Sequence, residues 1–262
     1  MVELPYLLRS ASYFGLFLMF LGCERLAPFA ETEQSKARRV FFHLGLSVGN
    51  GVLLYPFLAW AVYAALAYSR KHNLGLTYWL GLSGGWELLA TVVFFDCWDY
   101  WMHLANHKIG LLWRFHKAHH SDMEVDVTTA SRFHIGELLI SGLVKCLMIL
   151  LWGPSLAGLA LFEALLTGAS QFHHSNLYIP LALQDWLEKV VVTPRMHRCH
   201  HALHRSCFNT NFSTILSIWD RMAWTYHWSR QSEELVPIGL FHPRGPETMR
   251  LKAFLLTPLK DR

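Results

Sequence analysis

Twelve of the sixteen histidines lie between His103 and His204, and their spacing is that of a metal site. His103 and His107 form H-x-x-x-H, which puts both imidazoles on one face of a helix. His116, His119 and His120 form H-x-x-H-H. His197, His200 and His201 repeat that pattern, and His204 extends the stripe by one more turn. His173 and His174 are adjacent and point about 100° apart on a helix, so one of the two faces the site. His43, His72, His227 and His242 stand alone and read as ordinary surface or core residues. Imidazole suits Fe, Zn, Cu and Ni. The three clusters hold eight imidazoles, too many for one ion, and a structural zinc site takes four ligands, often with Cys. Two ions are therefore expected. Two redox-active metals can activate O2 against a C–H bond, which acid–base side chains cannot do. Iron is the expected metal, with zinc or copper as possible occupants.

Other residue types support or compete with this reading. Asp96, Asp99, Glu137 and Asp220 are candidates to orient ligand imidazoles through their second ring nitrogen. Asp99 precedes His103 by four residues. Glu137 follows His134 by three, so those two could brace each other. The alternative for each carboxylate is a helix cap or a pair with Arg132, Arg195 or Arg221. Asn176, Asn209 and Asn211 are further supporting candidates. Cys199 sits inside the third cluster and is an alternative ligand, but His197 and His200 have the better helical phase. Five cysteines with no C-x-x-C pair argue against a disulfide framework and a zinc ribbon.

These clusters need elements to carry them. Hydrophobic residues make up 53% of the 262-residue chain and charged residues 16%, so lipid is the expected solvent for part of it. The net charge of +4 is a face bias rather than a nucleic-acid footprint. Four apolar stretches stand out: Leu4 to Leu26, Val40 to Tyr68, Leu74 to Phe95 with Glu87 inside, and Leu138 to Ser170 with Lys145, Glu163 and a Gly153-Pro154 break. The first reads as a retained span rather than a signal peptide. Polar blocks rich in His, Arg and Trp follow the third and fourth stretches. If both blocks serve one site, the chain must return to the same side between them, so 138–170 is expected to be a helical hairpin. The expectation is one all-α domain over 1–262. It comprises an integral membrane bundle of four to five helices over 1–95 and 138–170, and a His-rich helical cap over 96–137 and 171–226. Arg25, Lys36, Arg38 and Arg39, with Arg114, Lys117 and Arg132, place the cap on the cytoplasmic face, although Arg70 and Lys71 fall opposite. A bacterial inner membrane and an endoplasmic reticulum membrane fit equally. Trp79, Trp86, Trp98, Trp101 and Trp113 could line a substrate tunnel or form an interfacial belt.

The order H-x-x-x-H, H-x-x-H-H, H-H-S-N, H-x-x-H-H resembles the fatty acid hydroxylase/sterol desaturase superfamily. The supporting context is Trp113-Arg-Phe-His-Lys-Ala-His-His-Ser, Thr128-Thr-Ala-Ser-Arg-Phe-His-Ile-Gly-Glu, Phe172-His-His-Ser-Asn, Thr193-Pro-Arg-Met-His-Arg-Cys-His-His and Trp219-Asp-Arg. The resemblance implies a membrane-bound, non-haem di-iron oxidoreductase that uses O2 to hydroxylate or desaturate sterols, fatty acyl chains or related lipids. Carried over, the ligands are His103, His107, His116, His119, His120, His174, His197, His200 and His201, with His173 and His204 as weaker candidates. Two departures stand out. Ile135 replaces the usual Pro after Arg-Phe-His, and Ala223-Trp-Thr replaces the frequent Phe-Gly-Thr after Trp-Asp-Arg-x. The chain shows no Rossmann fingerprint, flavin domain or cytochrome b5-like extension, so a separate donor (cytochrome b5-like, ferredoxin or reductase) is expected. A carotenoid-type hydroxylase, a membrane metal-binding or transport protein and a structural role with inert zinc are the alternatives. Transport is disfavoured because the clusters follow the apolar stretches instead of lying within them.

Overall fold

A computed structural model describes residues 3–228, 236–242 and 244–260. The expected single domain over 1–262 extends past these residues at both ends and at 229–235. The described chain is all-α: α1 Glu3–Leu26, α2 Lys36–Leu53, α3 Tyr55–His72, α4 Leu76–Trp79, α5 Gly84–Lys108, α6 Gly110–His120, α7 Ile135–Trp152, α8 Leu156–His174, α9 Leu181–Leu187, α10 Pro194–His200, α11 Ile218–Met222 and α12 Leu251–Leu255. Isolated bridges such as Val191 with Leu216 are the only extended pairings among these residues.

The scaffold is set by two breaks. Pro56 sits in the first turn of α3, where its missing N–H costs no helical bond, and the chain bends there by 55°. The second break is the turn between α7 and α8. Gly153 takes a left-handed φ of 74° there, and a Cβ on it would meet the Leu74 carbonyl at 2.7 Å. Gly75, at φ 126°, meets that turn from the other side, and the Thr77 hydroxyl donates to the Gly153 carbonyl. Glu87, the interior charge of the third apolar stretch, accepts from the Ser155 amide at 2.9 Å and from its hydroxyl at 2.6 Å. It thus ties α5 to the start of α8. α7 packs mainly on α3, and α8 packs on α5 and α1. The two interior charges of the fourth stretch neutralise each other: Lys145 Nζ lies 2.6 Å from Glu163 Oε1. Phe95, Ile149, Trp152, Leu159 and Phe162 fill the space between these helices, with Phe94 stacked on Trp152 at 4.3 Å.

Among the described residues, α7 alone is by itself long and apolar enough to cross a membrane, and the bent pair of α2 with 55–79 passes the same test together. α5 carries Glu87, Asp96 and Asp99, and α8 ends in its polar histidine segment. The cationic residues need correction. Arg39, Arg132 and Lys117, read as a charged face, are buried. Arg39 pairs with acids and Lys117 donates to the Lys260 carbonyl, so they carry little topological information.

Candidate active site

The nine histidines come together at the buried junction of α5, α6, α8 and α10. They form two adjoining groups. His103, His107, His116, His120 and His200 make one, and His119, His174, His197 and His201 the other. In each group the ligand-type nitrogens lie within 4.8 Å of one another. His173 and His204 fall outside both. The His173 ring is 4.1 Å from that of His197, but its Nδ1 donates to the Thr214 carbonyl. His204 is partly exposed beside Ser206. Cys199 belongs to neither histidine group: it pairs with Cys207, a pairing that cysteine spacing did not suggest.

Four of the nine rings are oriented by the backbone. A carbonyl can only accept, so each contact fixes the proton on Nδ1 and turns a bare Nε2 inward. His103 donates to Phe212 O at 2.8 Å, His200 to Thr210 O at 2.8 Å, His119 to Arg132 O at 3.1 Å and His174 to Ser170 O at 2.7 Å. His116 donates instead to Glu137 Oε1 at 2.7 Å. Two of these acceptors, with Thr214 O, show a pattern that single-residue reading missed: the alternate carbonyls of Thr210, Phe212 and Thr214 serve three histidines. Asn209 and Asn211, at φ 60° and 56°, give that segment its shape, and Asn is among the residues that tolerate this region.

Carboxylates hold this segment rather than the imidazoles. Asp220 accepts from the amides of Phe212 and Ser213 at 2.8 and 2.9 Å, and Asp96 accepts from those of Ile215 and Leu216. Asp99 accepts from the Thr214 hydroxyl at 2.6 Å and touches no ligand ring. His134 does not brace Glu137. It caps α7, taking the Gly136 amide at 3.0 Å, and its other nitrogen faces Leu255 O.

Behind the four-histidine group lies a buried ionic network. Arg39 grips Asp122 through both terminal nitrogens, at 2.6 and 2.9 Å, and Asp126 through Nε at 2.8 Å. Burial alone would raise Asp122, but the Arg39 charge takes it down to about 2. Asp126 caps the 3-10 turn Val127–Ser131, which leads into Arg132, the carbonyl partner of His119. The Arg132 guanidinium is itself buried between Ser121, His43 and the Phe254 ring.

The donor set fits metal ions. Burial, then neighbouring imidazoles, pushes His119, His120, His197 and His201 well below the ordinary range, and burial takes His200 to about 3. The rings are therefore neutral, the form that ligates. His119 and His174 both carry their protons on Nδ1, yet their Nε2 atoms face each other at 3.2 Å with no hydrogen to share. His197 Nε2 lies 2.9 Å from His174 Nε2 and 3.1 Å from His201 Nε2. Two nitrogens each about 2.1 Å from one ion are about 3.0 Å apart at a right angle and about 3.4 Å at the tetrahedral angle. Buried Nε2 atoms of His107 and His116 also lack any hydrogen-bond partner. A cation between converging lone pairs satisfies all of these at once.

The all-helical chain thus gathers nine histidines into two adjoining groups, each of which could hold a metal ion. The chain belongs to the fatty acid hydroxylase family, whose family model, described as Fatty acid hydroxylase, matches residues 88–225. This agrees with the resemblance read from the histidine motifs. Alkylglycerol monooxygenase from Danio rerio is 31% identical over 183 residues, covering 70% of this chain and 37% of the relative. Ornithine lipid hydroxylase OlsE from Rhizobium tropici is 27% identical over 213 residues, covering 78% and 62%. Cholesterol 25-hydroxylase-like protein from Danio rerio is 24% identical over 234 residues, covering 85% and 90%. The chain thus spans little more than a third of the alkylglycerol monooxygenases it matches. No solved structure matches it significantly.

Proposed function

We propose that this protein is a membrane-bound, O2-dependent oxidoreductase that oxidises a C–H bond of a sterol, fatty acyl chain or related lipid at two iron ions. Hydroxylation is favoured over desaturation because the relatives are named as a monooxygenase and hydroxylases. The observation that carries the reading is the facing pair of unprotonated nitrogens, His119 Nε2 and His174 Nε2, 3.2 Å apart. Bound by the two groups, iron supplies the reduction of O2 and the insertion of one oxygen atom into C–H.

The chain's own residues do the rest. Nine imidazoles divide as five and four over the two ions. The Thr210 and Phe212 carbonyls and Glu137 keep the rings in register, so no ring must reorient when substrate arrives. Phe212, fully buried, packs its ring 5.1 Å from that of His107 and helps exclude water. The helix α7 and the bent pair anchor the site at a bilayer with the cap on the cytoplasmic side, and electrons come from a separate donor such as a cytochrome b5-like protein, a ferredoxin or a reductase.

The test combines metal analysis with lipid products. The purified chain is expected to hold two metals, predominantly iron. Cells expressing it should contain a lipid with one added oxygen atom. His119→Ala and His200→Ala should each abolish that product and lower metal content; full activity in either variant would refute the assignment. Changed cellular metal levels without a new lipid would instead mark a transporter.

A further inference from the structure

An open cavity of about 280 Å³ lies beside the five-histidine group, lined by His107, Lys108, Gly110, Trp113, Phe208 and Asn209. His107 is the one residue of the nine on its wall. Its Nε2 is buried without a partner, and no carbonyl holds its Nδ1 among the described residues. The Trp113 ring stands 5.1 Å from the His107 ring. Phe208, 64% exposed, also lines the cavity.

The polar groups of this cavity are unbalanced. Lys108 is exposed and has no acidic partner among the described residues, and no carboxylate lines the cavity. Beside it stands Asn209, held at φ 60°, whose side-chain amide makes no hydrogen bond among the described residues. One free cation and one free amide suit an anion. Ile109 and Leu111, which flank the lining residue Gly110 in sequence, are exposed apolar side chains like Phe208. The volume falls just below the usual range of ligand pockets, about 300–1,000 Å³. It takes a head group and the first carbons of a chain, and the remaining hydrocarbon must lie along that apolar apron.

We propose that this cavity is the substrate mouth and that it admits an amphiphile with an anionic head group, held by Lys108 and Asn209, with its chain on Ile109, Leu111 and Phe208. The purpose of the mouth rests on the oxidoreductase reading above, but its ligand class is measured independently of turnover. The test is equilibrium binding to the full metal-loaded chain in phosphatidylcholine nanodiscs. Three probes are compared: dodecyl phosphate, the neutral dodecyl maltoside and inorganic phosphate. Dodecyl phosphate should bind best to the unmodified chain. Lys108→Gln should weaken it about tenfold, the loss of one charge-assisted contact, and Lys108→Glu further. Lys108→Arg should retain binding, and maltoside binding should be the same in all variants. Unchanged dodecyl phosphate binding in Lys108→Gln, an equal loss for both amphiphiles, or inorganic phosphate binding as tightly as dodecyl phosphate would each overturn the proposal. Selective binding without any lipid oxidation would refute the enzymatic reading and leave this one standing. Lipid oxidation with no head-group selectivity would do the reverse.

Discussion

The two histidine groups are built from the same residue type at the same depth of sequence, yet their surroundings differ. The four histidines of one are all buried, their Nε2 atoms nearly touch, and behind them stands the Arg39, Asp122 and Asp126 network. In the other, His103 and His107 are only partly buried, and His107 lines an open cavity. One group is closed by charge and backbone; the other is open at a single ring. The contrast separates two tasks that a two-metal oxidoreductase must combine, holding an ion fast and admitting a substrate beside another.

Acid should produce the largest effect and test the closed group first. His119, His197 and His201 have folded values well below 6.5. A lowered histidine value contributes stability that is fully present above the unfolded value near 6.5. That stability is lost as pH falls toward the folded value, because the unfolded chain takes up protons that the folded one refuses. Each such ring contributes a slope of about 1.4 kcal/mol per pH unit in that window. Three such rings over the span from pH 6.5 to 5 lose about 6 kcal/mol, comparable with the usual total stability of about 5–15 kcal/mol. Titration from pH 7.5 to 5 (followed by bound metal and circular dichroism) should therefore show cooperative metal release and unfolding beginning just below about pH 6.5. Metal content that stays flat to pH 5 would mean the rings are not held as neutral donors.

Arg39→Met tests what closes that group. It leaves Asp122 and Asp126 buried without their main partner, a change that costs about 3–5 kcal/mol. The damage should reach His119 through the Val127–Ser131 turn and Arg132. Urea unfolding should report the loss of stability, and metal content should fall from two per chain toward one. If the remaining metal is instead lost when His119 is also removed, with no further change on removing His116, the closed group is not the one Arg39 supports.

Glu137→Gln addresses the open group, where His116 alone is oriented by a carboxylate. Gln retains an acceptor but not the charge. Loss of such a partner typically costs about 10–100-fold in metal affinity or activity. A chelator competition series should resolve it, and an affinity within twofold of the unmodified chain would show that Glu137 only packs.

Which parts were legible follows from the range of the interactions. Helical offsets between His103 and His107, or His116 and His120, are local, so their shared face could be read from spacing alone. So could the break at Gly153-Pro154. The division into five and four could not, because His119 and His120 are adjacent yet point into different groups. Nor could the roles of the acids be read from proximity: Asp99 is four residues from His103 but serves Thr214, while Glu137 bypasses His134 to reach His116, 21 residues away. Arg39 and Arg132 looked like surface charge because burial depends on partners more than 80 residues distant. Nor could the role of Glu87 be read from its place inside an apolar stretch, since it fastens α5 to the start of α8.

The smallest expected effect concerns Trp224, on the open side of the comparison. It lies beside Thr225, whose hydroxyl donates to Asp220, the carboxylate that holds the Phe212 amide and so the His103 acceptor. Trp224 is 93% exposed and adopts φ 60°, a left-handed conformation at the position where the family resemblance implies glycine. Its side chain gains little from packing, and the backbone strain is about 1–2 kcal/mol. Trp224→Gly removes that strain but gives the unfolded chain about 0.5–1 kcal/mol of extra freedom. The net expectation is a stabilisation of about 0.5–1 kcal/mol, which raises Tm by about 1–4 °C for a chain of this size. Metal content should stay at two, because Asp220 keeps its contacts. A lower Tm would show that the indole has a partner that repays the strain, and that the open side is braced from outside as the closed side is braced from within.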